Sequence, residues 1–193
     1  MFIISQTNEK PTSFIYESFI FVTAMIVHAL KWMSGYLQFR NQVSSKTVKN
    51  YAFNGKYKNA AVLVDMDQFN ETEKLYDLCE LLDLPKSKMF ILGYKKNEEK
   101  LVPFGIQYCT KDDLGWKGSI DNKFFEDFVK REYDLLFNYF EKSPLLLSLI
   151  SLKSKSKIRI GFSSSNNKLN DIEIDSDIKE FETFKSVISK LVQ

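Results

Sequence analysis

The stretch AAVLVDMDQFNETEKLYDLCELLDLPKSKMFILGY, residues 60–94, decides the fold class. Its first seven residues form an apolar run ending in polar side chains, which is typical of a buried parallel strand. Residues 71–83 are predicted to form an amphipathic helix, with Asn70 and Glu73 as a capping box. Its apolar stripe consists of Leu75, Leu78, Cys79 and Leu82. Residues 88–94 return to strand, so the segment predicts one strand–helix–strand unit of a parallel sheet.

The alternation of strand and helix continues to the C-terminus. Apolar runs predict further strands near residues 104–109, 133–139, 157–162 and 172–174. Helices are predicted between and after these strands, over residues 122–131, 145–153 and 178–191. The first of them should turn Phe124, Phe125 and Phe128 inward. This order predicts a single Rossmann-like α/β domain over residues 41–193, with a mostly parallel sheet flanked by helices.

Residues 1–40 are predicted to add an N-terminal helix, for which three interpretations stay open. The uncharged apolar run FIFVTAMIVHAL, residues 19–30, is about twelve residues long, whereas a membrane span needs about twenty. The helix either lies against the domain, or contacts a membrane through residues 14–39 and anchors the domain to the cytoplasmic side of the inner membrane. In the third interpretation translation starts at Met25, and residues 1–24 are not part of the native chain. An intact-mass measurement of the native protein would identify the third case.

The composition argues against several classes of protein. The chain has 193 residues, 27 of them basic and 25 acidic, and a net charge of only +2. Its arginines are Arg40, Arg131 and Arg159. Because arginine supplies the rigid donor fork used on phosphates and base edges, we expect no sequence-specific nucleic acid partner. Cys79 and Cys109 show no spacing that indicates a disulfide, and we expect a cytoplasmic protein.

Asp65 and Asp67 follow the first predicted strand, where phosphatases of the haloacid dehalogenase type carry their nucleophile and general acid. Two carboxylates at a strand end can share one crevice and hold Mg²⁺. The phosphatase pattern requires Thr or Val two residues after the second Asp, but this chain has Phe69, and the later Ser, Lys and acid do not follow in order. The simpler interpretation is a solvated loop in which Asp67 or Asn70 caps the next helix.

Other catalytic arrangements lack the residues they need. His28 is the only histidine and lies in the N-terminal apolar run, so hydrolytic triads and histidine-ligated zinc are not expected. The segment after the first strand has no glycine with which to approach a pyrophosphate, and no Walker-type loop is present. We therefore predict no catalytic residue, no metal and no cofactor.

One crevice is predicted as a site for a ligand or a partner. Trp116 and Lys117 lie in the loop DLGWKG, which should lie near the carboxyl ends of the strands, where open α/β sheets bind ligands. Trp116 either covers the sheet edge or belongs to a binding surface. If the predicted strands are right, the crevice is ringed by Asp65, Asp67, Asn138 and Ser163.

Several sequence blocks together resemble a bacterial family of domains of unknown function. They are VLVDMDQF, DLGWKG, YDLLFNYF, KIRIGF and LNDIEI, and the likeness covers roughly residues 40–193. The resemblance implies a small cytoplasmic protein and carries no established activity. YDLLFNYF, the Leu-rich segment after it and KIRIGF also resemble the N-terminal half of heptosyltransferases. Those enzymes bind their nucleotide sugar mainly through a second domain, for which this chain has no room.

The function that these observations favour is a non-catalytic binding or protein-interaction domain with an unknown protein partner. The alternative is a Mg²⁺-dependent phosphoryl-transfer enzyme, or a degenerate glycosyltransferase-like protein, that uses the crevice at Asp65 and Asp67.

Overall fold

The structure is a computed structural model, and it describes residues 12–45, 56–97, 106–142, 144–165 and 168–192. The five α-helices within these residues are α1 (Thr12–Ser45), α2 (Leu78–Leu81), α3 (Lys123–Lys130), α4 (Leu145–Lys153) and α5 (Phe181–Val192). Short 3-10 turns occupy Thr72–Asp77, Lys86–Lys88, Lys111–Asp113 and Trp116–Gly118. The first two residues of the predicted strand at 104–109 lie outside the described residues.

Six parallel strands form one sheet in the order β3-β2-β1-β4-β5-β6. They are β1 (Ala60–Asp65), β2 (Met89–Tyr94), β3 (Gln107–Cys109), β4 (Glu132–Tyr139), β5 (Lys155–Phe162) and β6 (Ile172–Ile174). The chain builds the sheet outward from β1 in one direction, then returns to β1 and builds outward in the other. The direction therefore changes between β1 and β4, as in doubly wound sheets. The predicted single α/β domain with an N-terminal helix is confirmed.

One side of the sheet, the α5 face, is covered by α2 and α5. Alternate strand residues point to this side, among them Val62, Val64, Phe137 and Tyr139, all fully buried. They meet Leu75 and Leu78 from the segment after β1 and Phe181, Phe184 and Ile188 from α5. Burying each such side chain stabilises the fold by roughly 1.5–3 kcal/mol relative to leaving it exposed.

The other side, the α4 face, is covered by α1, α3 and α4. The sequence of α4 is apolar on nearly every side, and six consecutive residues from Leu146 to Ser151 are buried. One side of α4 packs on the sheet, and α1 covers another through Phe39 and Val43. The second half of α1 is therefore part of the domain core, and this helix runs on to Ser45, past residue 40.

The prediction of one continuous α-helix over residues 71–83 is wrong. The segment forms a 3-10 stretch, Thr72–Asp77, followed by the single turn of α2. Thr72, Leu75 and Leu78 are all fully buried, and their spacing of three places them on one stripe of a helix with three residues per turn. Among the described residues no side-chain hydrogen bond caps this segment at Glu71, and Asp83 ends it with a φ of 52°.

The helix predicted over residues 122–131 forms as α3, with one of its three phenylalanines misassigned. Phe125 and Phe128 are buried, but Phe124 is 58% exposed. Residues three apart share a helical face, whereas Phe124 lies about 100° from Phe125 around the axis. The Asn122 side chain caps this helix by accepting a hydrogen bond from the Phe124 N–H.

Candidate functional site

A cleft of about 420 Å³ opens at the carboxyl edge of the sheet, beneath α1. Its walls come from α1, from the ends of β1 and β2, from the segment after β3 and from the start of α4. The lining residues are His28, Trp32, Asp65, Asp67, Tyr94, Lys96, Lys111, Leu114, Leu145 and Leu146. This combination of an apolar floor and a few polar groups is common in sites for small molecules.

Asp65 ends β1 and is only 4% exposed, and both of its carboxylate oxygens accept hydrogen bonds. The Asp67 N–H donates to Oδ1 at 3.0 Å, and the Gln68 side-chain Nε2 donates to Oδ2 at 2.6 Å. Burial raises the pKa of Asp65, and these hydrogen bonds oppose that rise because they favour the charged form. The carboxylate therefore fixes the turn that follows β1.

The Gln68 side chain closes the junction between β1 and β4. Its Oε1 accepts the Glu141 N–H at 3.0 Å, and its Nε2 donates to the Lys142 carbonyl at 3.3 Å. Doubly wound sheets commonly bind ligands at this junction, where the strand order reverses. Gln68 thus joins the two loops at the junction, and the cleft opens beside this bridge, between α1, the ends of β1 and β2, the segment after β3 and the start of α4.

Asp67 joins the end of β1 to the end of β2. Its Oδ2 accepts the Lys96 N–H at 2.7 Å. Burial, followed by the negative charge of Asp65, raises the pKa of the neighbouring Tyr94 to about 12. The phenol of Tyr94 is therefore protonated at neutral pH. Two backbone-braced carboxylates and a protonated phenol thus lie along the strand ends.

Asp65 and Asp67 are a pair of carboxylates, and among the described residues no third acidic, His or Cys side chain joins them. Within the described part of the chain, no group of three or more His, Cys, Asp or Glu side chains is arranged to hold a metal ion. A Mg²⁺ ion at Asp65 would have to compete with the N–H groups of Asp67 and Gln68, which already use both carboxylate oxygens.

Two cleft residues come from α1, and no sequence pattern groups them with the strand ends. His28 lines the cleft, and its Nε2 is buried without a hydrogen-bond partner among the residues that the structure describes. Trp32 follows one turn later and stacks on Tyr36 with ring centroids 5.4 Å apart. Their position depends on how α1 docks, which no local sequence signal encodes.

Tyr94, Lys96 and Lys111 were also missed, although a signal for them exists. Tyr94 is the last residue of β2, and Lys96 lies two residues beyond it. Lys111 follows β3 by two residues. The rule that placed Asp65 and Asp67 at the carboxyl edge applies equally to these positions.

Asn138 is fully buried in the middle of the sheet rather than in the cleft lining. Its Nδ2 donates to Asn170 Oδ1 at 2.7 Å, and Asn170 Nδ2 donates to Ser165 Oγ at 2.8 Å. Gly161 makes room for this pair, because a Cβ at that position would lie 2.6 Å from Asn170 Nδ2. Asn138 therefore belongs to a buried amide network beside β5.

The remaining predicted site residues also lie away from the cleft lining. Ser163 follows β5, and its Oγ donates to Asp175 Oδ1 at 3.3 Å. Trp116 is 52% exposed on the 3-10 turn that packs on α1, and the Lys117 N–H donates to Ser34 Oγ at 3.0 Å. The structure thus brings Asp65 and Asp67 together and places the other four predicted residues elsewhere.

Comparison with models of protein families identifies a family for this chain. The model of a family of unknown function, DUF6913, matches residues 31–193, more than half of the chain. No curated protein matches the sequence. The match begins at Lys31, within α1 and close to the point where that helix reaches the domain.

Proposed function

We propose that this chain, which belongs to the DUF6913 family of unknown function, is a bacterial cytoplasmic binding domain that holds a ligand without transforming it. The observation that carries the proposal is the cleft beneath α1, at the edge where parallel α/β sheets bind their ligands. Its volume of about 420 Å³ lies within the range of small-molecule sites.

The lining favours a ligand with an apolar body and one anionic group. Leu114 and Leu146 are buried and form an apolar floor with Leu145. Lys96 and Lys111 are exposed at the rim, where their ammonium groups can meet an anion. Trp32 from α1 adds an aromatic wall for the apolar part of such a ligand.

The roles of the reactive groups support binding rather than turnover. Asp65 and Asp67 accept backbone hydrogen bonds that hold the strand-end loops. Cys109 is fully buried, its Sγ donates to the Gly93 carbonyl at 3.3 Å, and burial raises the pKa of its thiol well above the ordinary value. A thiol in that setting is a poor nucleophile.

Thermal shift with small anions tests this proposal. The probes are alkyl and aryl carboxylates and phosphates, from octanoate to phenyl phosphate, without added metal. Lys111→Gln should weaken binding several-fold, and Leu145→Trp should abolish it by filling the cleft. Lys123→Gln, an exposed lysine on α3 outside the cleft, is the matched control and should bind as wild type. Binding unaffected by Leu145→Trp would refute the proposed site.

The enzyme alternative has one observation in its favour, because Asp65 and Asp67 do line the cleft together. Mg²⁺-dependent phosphoryl transfer, or a glycosyltransferase-like activity, would require Mg²⁺ to stabilise the protein with a nucleotide, sugar nucleotide or sugar phosphate present. A stabilisation of this kind that Asp65→Asn abolishes would replace the binding proposal with the enzyme.

A protein partner is the second candidate for binding, and the exposure of Trp116 favours it. A half-exposed tryptophan next to Lys117 is the kind of side chain that anchors protein interfaces. Loss of a co-purifying protein on Trp116→Ala, with no response to any anion, would favour this second candidate. The domain boundary between residues 40 and 41 and the translation start at Met25 also remain predictions.

A further inference from the structure

The first half of α1 extends from the domain with its apolar side chains uncovered. Thirteen of the fifteen large hydrophobic side chains that are exposed in the described residues lie on this one helix, from Tyr16 to Leu37. The side chains from Tyr16 to Val27 are all exposed, and partial burial begins at His28. Soluble proteins rarely expose a continuous apolar surface of this extent.

The uncovered surface runs around the whole helix rather than along one stripe. The four consecutive residues Phe19–Val22 are 72%, 63%, 68% and 52% exposed. Successive residues are about 100° apart, so these four cover every side of the helix. A protein partner or an in-plane membrane helix needs a single apolar stripe, whereas an all-round apolar surface suits lipid on all sides.

The exposed part of α1 has the composition of a membrane-spanning helix, with aromatic residues near both of its ends. By length and composition, α1 qualifies as a helix able to cross a membrane. Tyr16 lies at one end of the apolar run, and Trp32 and Tyr36 lie at the other, all of them exposed. At 1.5 Å per residue, Tyr16 and Trp32 are about 24 Å apart along the helix, shorter than the hydrocarbon core of about 30 Å, a mismatch that a bilayer accommodates by local thinning. Trp and Tyr concentrate at both membrane interfaces.

The charges give the helix a direction. In the sequence, Lys31, Arg40, Lys46 and Lys49 follow the apolar run, against Lys10 before it. Basic residues near the ends of a span stay on the cytoplasmic side. The family match begins at Lys31, so the exposed residues from Tyr16 to Leu30 lie outside the matched residues.

We propose that the first half of α1 spans a lipid bilayer and holds the α/β domain at its cytoplasmic surface, with Trp32 at the interface. His28 and Trp32 then place the cleft mouth beside the lipid headgroups. The anchor is independent of what the cleft binds, so either proposal can fail without the other.

Vesicle flotation of the full chain tests the anchor. The wild-type protein should float with phosphatidylcholine vesicles, with or without phosphatidylglycerol, and resist high salt. Ile20→Lys combined with Ile26→Lys should leave it in the soluble fraction with an unchanged Tm, because both side chains are exposed. Phe124→Lys removes an equally exposed hydrophobic side chain from α3 and should float as wild type.

The depth of Trp32 provides an independent readout. Trp116→Phe leaves Trp32 as the sole tryptophan. Its fluorescence should then shift to shorter wavelength and be quenched by brominated lipids. Failure to float, or flotation without quenching of Trp32, overturns the proposal. A salt-resistant oligomer that ignores vesicles would show that a second copy covers the helix instead.

Discussion

The two faces of the sheet are filled to different extents. On the α5 face the Tyr139 ring lies 4.8–5.1 Å from the rings of Phe69, Phe162 and Phe184, and all three pairs meet edge to face. On the α4 face a second cavity of about 400 Å³ adjoins the cleft and shares Trp32, Tyr94 and Leu145 with it. Both spaces lie under α1.

The difference follows from how each face is covered. On the α5 face, α5 buries three large side chains over two turns, and its aromatic rings interlock with those of the strands. On the α4 face, α1 approaches the 3-10 turn Trp116–Gly118 closely because glycines meet there. A Cβ on Gly35 would lie 3.6 Å from the Gly118 Cα. The α5 face should therefore contribute most of the free energy of unfolding, and the α4 face should contribute the space for a ligand.

The largest expected effect is on the α5 face. Phe184→Ala removes a fully buried ring that touches Phe137, Tyr139 and Phe162, and should lower the free energy of unfolding by about 3–5 kcal/mol. Urea denaturation measures the loss. Trp32→Ala, on the other face and half exposed, should cost less than about 1 kcal/mol. Equal losses would remove the distinction between the faces.

The buried amide network gives the next largest effect. Gly161→Ala forces Asn170 away and leaves Asn138 without its partner. We therefore expect the free energy of unfolding to fall by about 1–3 kcal/mol. Gly35→Ala is the control, because a Cβ there meets only ordinary contacts at 3.5 Å or more and alanine favours the helix. A tolerated Gly161→Ala would mean that the network does not constrain β5.

At the cleft itself a deletion should have little effect. Leu145 is half-buried and borders both cavities, so Leu145→Ala removes few contacts and should cost less than about 1.5 kcal/mol. Leu147 is fully buried on the same helix, so Leu147→Ala should lower the free energy of unfolding by about 2–5 kcal/mol. Similar losses at both positions would show that the cleft is closed in solution.

The smallest effect is a pH dependence at Asp65. Burial raises its pKa in the folded state, so the folded chain binds more protons than the unfolded one just above pH 4 and loses stability as pH rises through the raised pKa. Asp65→Asn removes this decline. The stability of the variant relative to wild type should rise with pH over that window and then level off in urea titrations.

Asp134, at the opposite edge of the sheet, should show the reverse sign. Burial opposes its ionisation, but Lys157 Nζ at 2.6 Å and the Lys58 N–H outweigh burial and lower its pKa. The stability that it contributes is present above about pH 4 and is lost as pH falls through the lowered pKa. Asp134→Asn should therefore be destabilised at neutral pH and match wild type in acid. The same sign at both positions would contradict the assigned causes.

The strands could be predicted because their signal is local. Short apolar runs such as those at 60–66 and 133–139 are typical of buried parallel strands, and their alternation with helices indicates the fold class. The segment at 71–83 was harder, because spacing of three and of four both occur in it and packing against the sheet selected the 3-10 form. Its core residues were nevertheless identified.

The candidate site was only half predictable. Asp65 and Asp67 follow from the strand-end rule, which also reaches Tyr94, Lys96 and Lys111. The hydrogen bond from the Glu141 N–H to the Gln68 side chain joins residues 73 positions apart, and no pattern in the sequence predicts it. His28 and Trp32 reach the site only because α1 docks over the sheet edge, which is a property of tertiary packing.

The order of the strands also sets the order of assembly during synthesis. β1 is made first, yet it lies at the centre of the sheet, and its residue Ala60 pairs with Leu135 on β4, far along the chain. Until β4 leaves the ribosome, one hydrogen-bonding edge of β1 has no partner. Such distant pairing slows folding and leaves an apolar strand open to association with neighbouring chains. Chaperone demand should thus be greatest before residue 139 emerges.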